Sequence, residues 1–91
     1  MSMLDDRQTA EAIFSGTFAT VLRHHFRHER VIVRIEDSHA GSAVMCEASL
    51  RREGGKFARA SVMYHFDLSG NPQQTALTDA RWAVRELERA Q

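Results

Sequence analysis

Ninety-one residues, with 43% hydrophobic and 26% charged side chains, make one small domain near the lower size limit for an unstapled hydrophobic core. Twelve basic residues balance twelve acidic ones, which argues against a strongly basic nucleic-acid binder. The lone Cys46 excludes an internal disulfide and a cysteine-pair metal site. No apolar run approaches the length of about 18 residues that a membrane span needs, and the N-terminus MSMLDDRQ lacks the basic-then-apolar pattern of a signal peptide, so the expected location is the cytoplasm.

Along the chain, Ala10, Ile13, Phe14, Phe18, Val21, Leu22 and Phe26 recur at steps of three and four, predicting a helix over about 5–28. Asp5 or Asp6 is the expected cap, and Gly16 falls away from the stripe as a tolerated residue, a kink or a close contact. Arg30–Glu36 reads RVIVRIE, a strand with Val31, Val33 and Ile35 on one side and Arg30, Ile32, Arg34 and Glu36 on the other. After turn residues 37–42 come a second strand at about 44–51 and a third at about 57–66. Their apolar positions, Val44, Cys46, Ala48 and Leu50, then Ala58, Ala60, Val62, Tyr64 and Phe66, are all even-numbered. Antiparallel partners share a face, so a two-residue turn at Gly54-Gly55 would oppose Leu50 to Arg59. A three-residue loop with a left-handed glycine gives the correct parity. The last helix begins either at Pro72, with Asn71 as cap, or at Thr78, with Leu77 and Trp82 as a hydrophobic staple. It buries Ala80, Ala83, Val84 and Leu87.

The predicted fold is α+β, in the order α-β-β-β-α: a three-stranded antiparallel meander with both helices on one face. Double-stranded-RNA-binding domains are similar in element order. Their last helix opens with a glycine-led, lysine-rich phosphate clamp, whereas here the segment Gly70-Asn71-Pro72-Gln73-Gln74-Thr75-Ala76 carries no basic residue. The similarity is therefore one of element order, and fold does not fix function.

Candidate sites follow from what the core leaves over. His24 and His28 are four apart, so on a helix they share a face and are candidate metal ligands, with Glu29 or His39 as third ligand at no characteristic spacing. The expectation is no tight metal site and no cofactor. His25 phases onto the apolar stripe, where a histidine at the core edge is expected. Catalysis has little to build on: Cys46 alternates into the core, and Ser61 and His65 lie about 13 Å apart along one strand. The chain is expected not to be an enzyme.

The open sheet face should carry Arg30, Ile32, Arg34, Met45, Glu47, Ser49, Arg51, Phe57, Arg59, Ser61, Met63 and His65, with Met45 and Met63 as cross-strand neighbours in the middle. Methionine with an arginine rim is the composition of a protein interface. Single-strand RNA stacking would want more aromatics than Phe57. Eleven of the twelve basic residues are arginine and Lys56 alone is lysine. G+C-rich coding explains this, or arginine is retained for planar bidentate contacts. Trp82 points away from the buried stripe of its helix, with Arg85 and Arg89 along the same side, a tryptophan–arginine spot of the kind that anchors partners.

The function expected is non-enzymatic protein binding by a small regulator, adaptor or inhibitor, of the sort mobile elements and phages carry, with a homodimer expected. The binding residues would be Trp82, Arg85, Arg89, Met45, Met63, Arg34 and Arg59. The alternatives are nucleic-acid binding through the arginines, including Arg23 and Arg27, and metal-dependent activity through His24 and His28.

Overall fold

The computed structural model describes residues 3–51, 54 and 57–89. Its elements are α1 (Met3–His25), β1 (Arg30–Ser38), a short 3-10 turn (His39–Gly41), β2 (Ala43–Arg51), β3 (Phe57–His65) and α2 (Pro72–Arg89). The strands form one antiparallel sheet in the order β1-β2-β3, and both helices pack against it. The class is α+β and the order α-β-β-β-α.

The core is an aromatic stripe on α1 closed over the small residues of the sheet. Phe14, Phe18, Leu22 and Phe26 meet Val44, Cys46, Ala48 and Leu50 of β2, then Ala58, Ala60, Val62 and Tyr64 of β3. From α2 come Ala76, Ala80, Ala83, Val84 and Leu87. The α2 stripe is largely alanine, which places that helix close to β3 and α1. One member of the sequence-derived α1 stripe leaves it, Ile13 at 39% exposed, while Ala10 and Val21 pack against the core partly buried. α1 begins at Met3, so positions 5 and 6, where the cap was expected, fall within the helix.

The chain leaves α1 sooner than the apolar spacing predicts. After Phe26 donates to the Leu22 carbonyl, Glu29 closes on the Phe26 carbonyl at 2.8 Å, a tighter three-residue step that ends the helix. Residues 26–28 are therefore turn, although Phe26 still packs into the core. At the other end, α2 starts at Pro72. Asn71 Oδ1 accepts from the Gln74 backbone amide at 3.0 Å, and proline occupies the first helical position, where its missing N–H is not needed. A start at Thr78 is excluded, and with it the Leu77–Trp82 staple: both residues lie mid-helix, five apart and on different sides.

Sheet register follows the parity argument. Leu50 faces Ala58, Cys46 faces Val62 and Met45 faces Met63. Gly54 has φ +85°, the left-handed conformation a short bulged loop needs. The rest of the predicted three-residue loop lies outside the described residues. The β1–β2 connection is tighter still, because β1 runs on to Ser38 and the reversal uses His39, Ala40 and Gly41, all at positive φ. His39 and Ala40 are not glycine, so this turn is strained; the Arg7 guanidinium holds it by donating to the Gly41 carbonyl at 3.0 Å.

Gly16 is exposed, and a methyl group there would meet nothing within 4 Å. It is a tolerated residue, not a close contact. Gly16→Ala is expected to stabilise the protein by about 0.5–1 kcal/mol through helix propensity alone. A urea midpoint that falls would show that α1 needs glycine for a reason other than space.

Candidate protein-binding surfaces

Side chains alternate across the sheet, so the face without helices is built row by row from the register. From one end the rows are Arg30–Arg51–Phe57, Ile32–Ser49–Arg59, Arg34–Glu47–Ser61, Glu36–Met45–Met63 and Ser38–Ala43–His65. Met45 and Met63 are cross-strand neighbours, as parity requires. They stand beside Glu36 toward one end instead of at the centre of the face, and both are half-buried.

The opposite end is more exposed and more cationic. Phe57 is 58% exposed and Ile32 is 48% exposed. The Arg51 guanidinium lies 5.9 Å from the Phe57 ring centroid, a cation–π contact that orients both. Arg30, Ile32, Ser49, Arg51 and Phe57 line a shallow depression of about 230 Å³. Arg30 stands directly opposite Arg51, and like charges in that position destabilise a strand pair. Arg34 is balanced differently, bonding Glu36 Oε1 at 2.7 Å and standing opposite Glu47. Arg59 is exposed.

Strand β1 departs furthest from expectation. Ile35 points to the helix side and was expected in the core, yet it is 49% exposed, while Val31 and Val33 are only half-buried. At that corner of the sheet α1 brings polar side chains. Arg7, Gln8 and Glu11 line an open recess there with Asp37, Gly41 and Phe66, and Ile35, two residues from Asp37 on the same side of the edge strand, stays half exposed. A signal was present in the sequence: β1 is the first strand of a meander and must be an edge.

On α2, Trp82 is 46% exposed on the side away from the buried alanines, with Arg85 and Arg89 one and two turns along. Arg89 pairs with Glu86 at 3.7 Å, and its own side chain is 76% exposed, so the contact adds little. Between the helices, Ile13, Gly16, Thr17, Thr20, Val21 and Leu77 line a wide open groove of about 590 Å³.

The histidines do not come together as a metal site. His24 lies in the last turn of α1 while His28 lies in the turn after it, accepting from Arg27 Nε at 3.3 Å. Among the described residues no group of three or more His, Cys, Asp or Glu side chains is placed to hold a metal ion. His25, expected at the core edge, is 46% exposed; its ring meets Phe26 edge-on and its Nε2 lies 3.6 Å from Glu88 of α2. α1 ends at His25 itself, so the helical phase that would carry the residue onto the apolar stripe stops there.

Cys46 is fully buried, and burial, with a lesser contribution from Glu11, pushes its thiol up to about 11. The reactive thiolate is therefore scarce at neutral pH and shielded by the core. Thiol reagents are expected to label native Cys46 far more slowly than the unfolded chain. Cys46→Ser should cost about 1–3 kcal/mol by burying a hydroxyl. Fast labelling under native conditions would refute this placement. Among the described residues no helix is long and apolar enough to cross a membrane.

Comparison with protein-family models, with curated proteins and with solved structures found no significant match.

Proposed function

We propose that this chain is a non-enzymatic protein-binding module, a small regulator, adaptor or inhibitor whose main contact surface is the open face of the sheet. The observation that carries this reading is the end of that face where Phe57 and Ile32, about half exposed, stand among Arg30, Arg51 and Arg59. Aromatic, methionine and arginine side chains are the residues enriched at interface cores, and Met45 with Met63 extend the same surface. The unfavourable Arg30–Arg51 juxtaposition favours a partner that brings carboxylates. Trp82 with Arg85 and Arg89 forms a second surface on α2, on the opposite side of the molecule.

Nucleic-acid binding is the rival reading. The zero net charge and the single exposed aromatic on the sheet speak against it.

The test is capture from the source cells with and without nuclease, using wild type, Phe57→Ala, Met63→Glu and Trp82→Ala, followed by affinity measurement with the recovered partner. The expected result is a nuclease-resistant protein partner whose affinity falls tenfold or more in Phe57→Ala, the scale of an interface hot spot. A nuclease-sensitive partner with a steep salt dependence would establish the rival. Wild-type affinity in both Phe57→Ala and Met63→Glu would remove the open face as the interface. If Trp82→Ala alone loses binding, the α2 surface takes its place.

A further inference from the structure

Edge strands expose unpaired backbone amides and carbonyls, and natural sheets blunt them with proline, bulges, short length or charge. Of these protections strand β1 carries only charge, in Arg30, Arg34, Glu36 and Asp37. It is nine residues long, contains no proline or glycine, and pairs with β2 in unbroken register. Its charges all lie on one side until Asp37, so the helix side reads Val31, Val33, Ile35 with Ile35 49% exposed. On the other edge strand, β3, the helix-side residues Ala58, Ala60, Val62 and Tyr64 are all buried, so among the described residues β1 is the less covered of the two edge strands. The free edge of β1 is the one left to be paired.

The sequence of β1 is complementary to itself reversed. We infer that two copies of this chain join their β1 strands antiparallel about a two-fold axis at Val33, making one continuous six-stranded sheet. The inference rests on the protein-binding reading above and names a second copy as a partner. A two-fold axis perpendicular to the sheet keeps each copy's helix side on the same side, and paired residues must share a face, so the axis passes through a residue.

Centring on Val33 sets Arg30 against Glu36 of the second copy, Val31 against its Ile35, Ile32 against its Arg34, and Val33 against its Val33. Arg30 and Glu36 then pair at both ends, with Asp37 against Glu29 of the preceding turn as the one like-charge pair beyond them, and six apolar side chains meet on the helix side. Neighbouring centres fail. At Ile32 the axis opposes Arg30 to Arg34; at Arg34 two arginines meet and Ile32 faces Glu36; at Ile35 it opposes Val33 to Asp37. The chosen register also answers the Arg30–Arg51 conflict, because Glu36 of the second copy flanks Arg30 from the other side. Paired in this way, the two open faces merge into a single surface of double width.

The test is molar mass by sedimentation across low to high micromolar concentration, for wild type, Glu36→Arg, and the double variant Arg30→Glu with Glu36→Arg. The wild type is expected to dimerise. Glu36→Arg turns two symmetric attractive pairs repulsive and is expected to weaken the dimer about tenfold; the double swap is expected to restore it. A second measurement fixes the register. In a Cys46→Ala background, Val33→Cys is expected to cross-link to dimer on mild oxidation. Ile35→Cys is not, because its two copies are offset by about 13 Å along the strands.

A wild type that stays monomeric at every concentration overturns the inference. So does a dimer that Glu36→Arg leaves unchanged and Val33→Cys does not cross-link. Phe57→Ala separates this inference from the reading it rests on: partner binding lost with dimer mass intact supports the open face independently of the β1 edge. For Glu36→Arg, dimer mass lost with partner binding intact would show that the open face binds its partner without the β1 pairing.

Discussion

Phe14→Ala is expected to lower stability by about 3–5 kcal/mol, the range for removing a fully buried phenylalanine. Phe14 is 0% exposed, stacks on Phe18 with ring centroids 6.3 Å apart, and tilts against Tyr64 at 5.0 Å. It thereby ties α1 to β3 across the middle of the core. No neighbour is free to refill its volume: Phe18 and Tyr64, the rings it touches, are themselves buried and already placed. A domain of this length has roughly 5–14 kcal/mol of total stability, so the loss is a large fraction of it. The expected fall in melting temperature is about 15–30 °C. A fall of only a few degrees would mean that Phe14 is not at the centre of the core. Phe14→Leu, which keeps most of the volume, should lie between the two.

That a single aromatic carries so much reflects how the fold is written into the chain. The three- and four-residue spacing of Phe14, Phe18, Leu22 and Phe26 identifies α1, and the shared parity of Cys46, Ala48, Ala58 and Ala60 fixes the β2–β3 register without coordinates. Both signals are local periodicities, and burial enforces them. What periodicity does not contain is coverage. It assigns Ile35 to the helix side of the sheet correctly, but it cannot say that the helices leave this edge-strand residue half exposed.

The same gap explains the other departures. His25 has the phase of a core residue but is the last residue of α1, and it lies half exposed beside Glu88, a residue far away in sequence. The two possible starts of α2 were equally well formed locally. The capping contact of Asn71 with Gln74, together with the Thr75 hydroxyl donating to the Ser69 carbonyl at 2.8 Å, selects the earlier one. The candidate surfaces were legible in part. The composition of the open face and the outward phase of Trp82 follow from alternation and helical angle. The self-complementarity of β1 was also in the sequence, but it gains meaning only once the strand is known to be an uncovered edge.

Ala80→Leu is expected to destabilise the protein by about 1–3 kcal/mol or more, although it replaces a buried apolar residue by a larger apolar one that is as good a helix former. The reason is distance. Ala76, Ala80 and Ala83 of α2 are all 0% exposed, and the β3 residues on that side of the sheet include Ala58 and Ala60, at 2% and 5%. Alanine facing alanine lets the helix lie close to the strand, and close-packed interiors leave no room for the extra methylenes of leucine. The large open volumes lie elsewhere, in the groove between the helices and in the recesses beside Phe66 and Phe57, so they cannot absorb the side chain. Either α2 lifts from β3, losing contacts along its whole buried stripe, or leucine adopts a strained rotamer.

Arg81→Leu is the control. It makes the same leucine one residue along, on an exposed position of α2, and should stay within about 0.5 kcal/mol of wild type. Urea unfolding of the two variants at unchanged m-value decides the matter. If Ala80→Leu matches Arg81→Leu, α2 stands farther from β3 than the alanine contact requires. If Ala80→Leu is destabilised while partner binding through the open face persists below its unfolding midpoint, the helices act as support for the sheet, and the binding surface belongs to the strands.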